Sequence, residues 1–460
     1  MARPHLPPFV AAAIEKMTEV VGGLLAGDEG TPVESLEAEL GAALNAVGRA
    51  AMEATLKARD PGGRDVEIDG RRYWEAARAE REYVTVFGPV RVERGLYRAV
   101  RNGPTVCPME RRAAIVEGFW TPRAAKIALL AVADMTPYRA SQFFAELGAM
   151  RPSRSSLARL PRLLSARWEA DRERFERTVR HADTIPDEAV TVAVSIDGVM
   201  LPMRCAGKHA TKARTRAAGR PDKGPAGYRE AGCASFSFYD RKGTRLKTIR
   251  LGRMPEAKMA SLRESVRAEL AHIRGRRPEL KVVAVADGDP VLWTFLEELK
   301  PDEEVVDFYH AAEHLKHAID LTEEPCAVGT QARFRRLRRL LKSEADGAAR
   351  VIRALRRRKP RRTNEAALYR RGIHYFQRHA HRMNYPHLRR RHLPIGSGVV
   401  EGTCRWLVSD RMKRTGMRWD KDGGQAILTL RALVHSDRFE TAWPLLAGAA
   451  QASCPTMRSG

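Results

Sequence analysis

The 460-residue chain reads as an α/β protein. Three observations predict this. Apolar segments of strand length recur from residue 190 onward, at Thr191–Ile196, Ala234–Tyr239, Thr244–Leu251, Lys281–Ala286 and Glu304–Phe308. Segments of helical period stand between the last three, at about 256–274 and after Asp289-Pro290. Upstream of residue 190 the pattern is mostly helical, broken by a stretch of strand type at 64–99.

Residues 8–58 read as amphipathic helix with a Gly-Asp-Glu-Gly break at 27–30. In residues 64–99, Val66-Glu67-Ile68, Tyr83–Val86 and Val90–Val92 alternate like strands, with Gly88-Pro89 between the last two. Thr121-Pro122 opens a helix through an N-cap and a first-turn proline, and Thr136-Pro137 opens another that Gly148 ends. Ser153 caps a third, through about Leu160, carrying Arg154 and Arg159 after Arg151. The last two fit a helix-turn-helix or a plain helical hairpin equally well. From residue 190 the order is three strands, helix, strand, helix, strand, which is RNase H-like. A basic Gly/Ala-rich loop at about 206–229 follows the first strand. The expected domains are a helical segment at 1–60, a small β element at 61–115, a helical region at 116–185 and an RNase H-like catalytic domain at 186–460. The last holds a basic helical insertion at about 321–392.

Lys and Arg exceed Asp and Glu by 81 to 56, a net +25. Such an excess points to a polyanionic partner. It is localised: residues 1–60 carry 5 basic and 9 acidic residues, whereas residues 331–391 carry 21 and 3. In that segment Phe334, Leu337, Leu340 and Leu341 recur at helical spacing, so its charges belong to helices with apolar faces. A nucleic-acid-binding face is expected there, against the plainer reading of a solvated helical surface. The six cysteines form no CxxC pair, which speaks against a zinc knuckle or a thioredoxin-like motif. No apolar run reaches membrane-spanning length and no signal peptide is apparent, so a cytoplasmic, nucleoid-associated protein is expected.

Asp197 and Asp287 each follow an apolar strand and each precede glycine. Alone, each Asp-Gly reads as a tight turn. Together, at neighbouring strand ends of an RNase H-like sheet, they bring two carboxylates to one place. Carboxylates without His or Cys suit Mg²⁺ or Mn²⁺, and paired ions support phosphoryl transfer. Asp289-Pro290 is accounted for as N-cap and first helical residue. Glu401, in Pro394-Ile395-Gly396-Ser397-Gly398-Val399-Val400-Glu401, is the candidate third acid; the alternative is an acid that complements a helix dipole.

The segments Ser195–Gly198, Ala286–Gly288, Asp307–Leu315 and above all 394–446, with PIGSGVVEGTCRWLVSDRMKRTGMRW, resemble DDE transposases of bacterial insertion sequences of the Kra type, which are related to Mutator-like transposases. The resemblance covers most of 120–446. It implies an RNase H-like core with a helical insertion, and Asp197, Asp287 and Glu401 as the metal triad. Asp307 and His310 match an Asp/Cys-x-x-His element of the wider group, with support of the metal ligands or DNA contact as the implied role. Relatives carry a Cys-rich element upstream, whereas here Cys107 alone remains. His310-Ala311-Ala312-Glu313-His314 also spells an inverted zinc-peptidase motif.

Arg405, one turn after Glu401, could share its face. Arg411, Lys413, Arg414 and Arg418, with Arg356, Arg357, Arg358, Lys359, Arg389, Arg390 and Arg391, are expected to contact DNA phosphates. Trp419 reads as base contact or core, as does Trp406. The expected partners are double-stranded DNA, namely transposon terminal inverted repeats and target, and a second copy of the chain in a dimer or larger assembly. The expected activity is metal-dependent strand cleavage and 3′-OH transfer. The alternatives are an RNase H-like nuclease or resolvase and a catalytically inactive DNA-binding regulator.

Overall fold

The computed structural model describes residues 6–26, 32–204 and 227–448. The break at 27–30 and nearly all of the basic loop expected at 206–229 lie outside the described residues. The chain divides into two compact units, Met1–Glu176 together with the segment from Phe439, and Arg177–Arg438.

The first unit begins with α1 (Pro8–Leu25) and α2 (Val33–Lys57). A three-stranded antiparallel sheet follows, β1 (Asp65–Ile68), β2 (Arg71–Thr85) and β3 (Gly88–Arg98). β2 starts well before the expected Tyr83, because it pairs with β1 on one side and with β3 along most of its length on the other. Tyr83, Val90, Val92 and Met109 form a small core with Leu56 of α2. Cys107 belongs to it, ahead of the short α3 (Pro108–Arg112), and burial pushes its thiol up to about 11. It is a core residue here, and among the described residues no cysteine joins a metal-capable group.

α4 (Pro122–Asp134), α5 (Pro137–Glu146) and α6 (Arg154–Ala170) come next. Thr136 and Ser153 cap as expected, accepting from the amides of Arg139 at 3.2 Å and Ser156 at 3.1 Å. Thr121 does not; its hydroxyl donates to the Val84 carbonyl at 3.2 Å. α6 runs on past Leu160 through Pro161, because Leu157, Leu160, Leu164 and Trp168 continue one buried stripe. α7 (Arg172–Ala182) spans the unit boundary in sequence.

The second unit is built on a five-stranded sheet. It comprises β4 (Thr191–Pro202), β5 (Tyr228–Tyr239), β6 (Arg245–Arg253), α8 (Ala260–Arg276), β7 (Lys281–Ala286), α9 (Pro290–Glu298), β8 (Glu303–Val306) and α10 (Phe308–Asp320). The spatial order is β6-β5-β4-β7-β8. The first three strands are antiparallel, while β7 pairs parallel with β4 and with β8. β7, buried along nearly all its length, is the apolar run that a central parallel strand requires.

The basic segment folds as α11 (Val328–Ser343), α12 (Gly347–Arg356), α13 (Ala366–His379) and α14 (Tyr385–Arg390). Its apolar residues Leu337, Leu341, Val351, Leu355, Tyr369 and Phe376 join the same core as the sheet. Its aromatic residues therefore pack inward while most of its arginines are exposed, Arg382 excepted. α15 (Gly398–Cys404) and α16 (Lys421–Val434) complete the unit. The last helix, α17 (Phe439–Ala447), belongs to the first unit, so the second unit ends before the expected boundary at 460.

Two buried arginines bind elements that are far apart in sequence. Arg438 meets Glu269 of α8 in a two-pronged pair, at 2.5 and 3.0 Å, and Asp183 at 2.7 Å. Arg382, after α13, meets Glu304 of β8 at 2.7 Å and Glu297 of α9, with its guanidinium 4.0 Å from the centre of the Trp293 ring. Arg382 also lies 3.2 Å from Nδ1 of the buried His379. Burial, followed by the Arg382 charge, holds that imidazole down to about 4, so it stays neutral and accepts from Arg382.

A histidine depressed on folding takes up its proton first in the unfolded chain. Stability should therefore fall as the pH drops from about 6.5 toward about 4. Urea unfolding across this range checks it. His379→Gln, which keeps an acceptor for Arg382, should lose less stability on acidification than the wild type.

Candidate active site

The parallel pairing of β4 with β7 ends at Val194–Ala284. Beyond that point β4 continues, paired only with β5, as far as Pro202. Asp197 sits in this extension, opposite Cys233 of β5. The strand thus does not end at Asp197, and Asp197-Gly198 is not a turn. Asp287 follows β7 directly, at the point where the two strands have parted. Both acids line one cavity of about 860 Å³. Asp289 caps α9 as expected, accepting from the Val291 amide at 2.7 Å, ahead of Pro290 in the first turn.

Asp197 is largely enclosed. Its Oδ1 accepts from the Gly198 amide at 2.7 Å, and its Oδ2 lies 3.7 Å from the Cys404 Sγ. Burial raises its pKa, and the charge of Asp287 adds to the shift. Contact with Cys233, together with burial, pushes the Cys404 thiol far up, so it remains a protonated donor toward Asp197. Asp287 Oδ1 accepts from the Asp289 amide at 3.0 Å. A Cβ on Gly288 would come within 2.1 Å of the Tyr375 ring, so α13 lies tight against the backbone beside Asp287.

Glu401 arrives on α15. It is bound to this region through Asp307, which is fully buried at the N-terminus of α10. One oxygen of Asp307 accepts from the amides of Tyr309 and His310, the latter at 2.8 Å. The other accepts from the Ser397 amide and, at 2.7 Å, from the Ser397 hydroxyl. Ser397 Oγ also lies 3.0 Å from Glu401 Oε1. His310 Nδ1 stands 3.6 Å from Glu401 and 3.8 Å from Asp307, enclosed and without a hydrogen-bond partner among the described residues.

Ligand atoms of Asp307, His310 and Glu401 lie within 4.8 Å of one another, close enough to hold a metal ion. Asp307, however, already accepts four protons and is occupied as a strut. Asp287 and, in part, Asp197 keep open donor capacity toward their shared cavity, whereas Glu401 does not line it and, among the described residues, groups with Asp307 and His310 instead. Two neighbouring carboxylates, one of them buried with a raised pKa, call for a positive charge between them, and an all-oxygen set fits Mg²⁺ or Mn²⁺. The zinc-peptidase alternative gains no support: His314 stacks on Tyr375 with ring centres 3.9 Å apart, and neither Glu313 nor His314 joins a metal-capable group among the described residues.

The basic residues divide into two sets. Arg356, Arg357, Lys359, Arg389, Arg390, Lys413, Arg414 and Arg418 are exposed. Arg358 pairs with Glu323 at 3.4 Å and Arg391 pairs with Glu303. Arg405 reaches Asp410 at 3.5 Å rather than Glu401. Arg411, expected at phosphates, is 2% exposed. It is enclosed beside Met417 and Trp419, where a guanidinium can stack and bond at once, and it supports the turn instead of DNA. Trp419 packs in this core and donates to the Met412 carbonyl at 2.8 Å, whereas Trp406 stays 45% exposed.

Sequence reasoning missed Ser397, Cys404 and Tyr375. Ser397 could have been found as the N-cap between two glycines, and Cys404 as the residue one turn after Glu401. Nothing local marks Tyr375.

No protein-family model matches the chain, and no curated protein matches it. Among solved structures it is similar to one described as the Drosophila P element transposase strand transfer complex, with 10% identity and a TM-score of 0.27, covering 72% of this chain and 81% of that one. A likeness of that size assigns neither fold nor function. Among the described residues, no helix is long and apolar enough to cross a membrane.

Asp307→Asn should test the strut. The amide turns a donor toward buried donors, so unfolding free energy should drop by about 2–3 kcal/mol in urea titration. Ser397→Ala, which removes one hydroxyl, should cost about 1 kcal/mol.

Proposed function

We propose that the chain is a DNA transposase of the bacterial insertion-sequence DDE type, Kra-like, with an RNase H-like core, and that Asp197, Asp287 and Glu401 hold its metal. The observation that carries this reading is the parting of β4 from β7, which brings Asp197 and Asp287 to one cavity, with Glu401 tied to the same end of the sheet through Ser397 and Asp307. The strand order β6-β5-β4-β7-β8 and the basic helices between the second and third acid support it.

Bound Mg²⁺ would supply charge stabilisation for the attacking and leaving oxygens of a phosphodiester. Asp197 and Asp287 supply fixed negative charge, and Cys404 and the Gly198 amide keep the Asp197 carboxylate in one orientation. His310, with Nδ1 3.6 Å from Glu401, would support the metal-binding acids or contact DNA. The exposed arginines of α12, α14 and the segment after α15 neutralise backbone phosphates. Water and then a freed 3′-OH are the nucleophiles, so chemistry rests on positioning and charge rather than on a covalent enzyme intermediate. Terminal repeats and target DNA are the substrates, handled by a dimer or larger assembly.

Asp197→Asn, Asp287→Asn and Glu401→Gln should each abolish Mg²⁺-dependent strand cleavage while DNA binding persists. Wild-type cleavage by any of them removes that residue from the site. A strand-transfer assay decides the class: cleavage without joining would make the chain a nuclease or resolvase, and binding alone a regulator.

Replacing Arg356, Arg357 and Lys359 by Ala should flatten the salt dependence of duplex binding by about 0.9 per lost phosphate contact. Arg358, already paired with Glu323, should contribute less. An unchanged slope would return this face to plain solvation.

A further inference from the structure

Asp287 stands just beyond the last rung of its strand. The β7–β8 ladder closes with the Asp307 amide donating to the Ala286 carbonyl at 2.8 Å. The next two carbonyls, of Asp287 and Gly288, lie past the ladder and need other donors. Two ring N–H groups supply them. Trp293 Nε1, on α9, donates to the Asp287 carbonyl at 2.5 Å, and the imidazole of His379, at the end of α13, donates to the Gly288 carbonyl. Both rings are almost wholly buried.

The His379 donor is itself fixed. Its Nδ1 accepts from Arg382, so the neutral ring carries its one proton on Nε2, toward Gly288. Arg382 in turn is held by Glu304 of β8 and Glu297 of α9, and it lies over the Trp293 ring. One buried guanidinium therefore orders both donors. Gly288 admits no side chain, because the Tyr375 ring of α13 occupies the place of a Cβ, and that ring is stacked on His314 of α10. α13 belongs to the basic insertion. The inner face of the insertion thus closes on the backbone that carries Asp287, while its outer face carries the exposed arginines.

We propose that His379 and Trp293 are positioning residues for the cation-binding pair: they anchor the Asp287–Gly288 backbone and hold the Asp287 carboxylate toward Asp197. The inference rests on the metal reading above and adds which residues outside the acids set cation affinity. The physical need is repulsion. The two carboxylates carry like charge beside one cavity. Asp197 sits within the β4–β5 ladder, so Asp287, past the end of its strand, is the one that can retreat. A backbone anchored at two successive carbonyls resists that retreat, and a cation site tolerates only about 0.5 Å of displacement. Partners that orient a ligand from behind typically change metal affinity by about 10–100-fold.

The test reads Mn²⁺ affinity of the full chain by electron paramagnetic resonance of the free ion, with no DNA present. Asp287→Asn, which should abolish the binding, marks the site being measured. Trp293→Phe keeps an aromatic ring and removes its N–H. His379→Leu removes both ring contacts, whereas His379→Gln keeps an acceptor for Arg382 and a donor for Gly288. Trp293→Phe and His379→Leu should each weaken Mn²⁺ binding about tenfold, and His379→Gln should stay within about threefold of the wild type. Leu280→Ala, a core truncation just before the opposite end of β7, lowers stability and should leave Mn²⁺ affinity unchanged. Wild-type affinity in folded Trp293→Phe or His379→Leu removes that residue from the role, and should His379→Leu fail to fold, Trp293→Phe decides alone. An equal loss in His379→Gln or in Leu280→Ala overturns the positioning role altogether. No Mn²⁺ binding by the wild type, or binding that Asp287→Asn leaves unchanged, overturns the metal reading instead.

Discussion

The buried carboxylate of Asp307 is the constraint on which the acid-bearing end of the second unit depends. It is removed from water and therefore must be fully bonded. Four donors do this, two from the start of α10 and two from Ser397. The bonds fix two positions at once, the first turn of α10 with His310 and the loop before α15, and Glu401 follows on the helix that this loop opens, with its Oε1 3.0 Å from the Ser397 hydroxyl. A helix of seven residues such as α15 has little stability of its own, so its location comes from this tether and from packing of Val400, Cys404, Leu407 and Val408.

The strands supply the other half of the site by parting. β4 has two partners as far as Val194 and one beyond it. A parallel strand pair that separates opens a crevice at its carboxyl end, and residues following each strand face into it. Asp287 is such a residue, and Asp197 lies in the extension of β4 beyond its pairing with β7. Their proximity costs energy in the absence of a cation, because one is buried and both carry the same charge. Cores do not retain such pairs for stability, and a fold that keeps them has a use for the charge.

Much of this was legible in the sequence. The five strands, their order and the caps at Thr136, Ser153 and Asp289 follow from apolar runs and from side chains that bond their own backbone. The two aspartates were visible because each follows an apolar run and precedes a glycine. What stayed hidden depends on pairing across long separations. The extension of β4 beyond Asp197 is dictated by β5, some thirty residues on, and residues 191–196 carry no sign of it. Tyr375 packs on Gly288 from a helix placed by the shared core. Arg411 looks like its exposed neighbours Lys413 and Arg414, and burial alone sets it apart.

That last distinction bears on how the basic segment works. A run of arginines read from sequence counts every guanidinium as available. In the folded unit some are structural: Arg382 and Arg438 are buried in ion pairs, Arg411 is enclosed by Met417 and Trp419, and Arg358 and Arg391 meet glutamates. The charge left for a polyanion is therefore smaller than the formal excess and differently placed. It lies on the outer faces of α12 and α14, after α15, and at Lys258 and Lys421 on the wall of the cavity that holds the acids. Cations on the outer faces can act at a distance on a duplex, because their attraction is long-ranged and screened only beyond about 8 Å at physiological salt. Cations in the cavity wall act only on what enters it. Long-range attraction and local contact therefore fall to different residues.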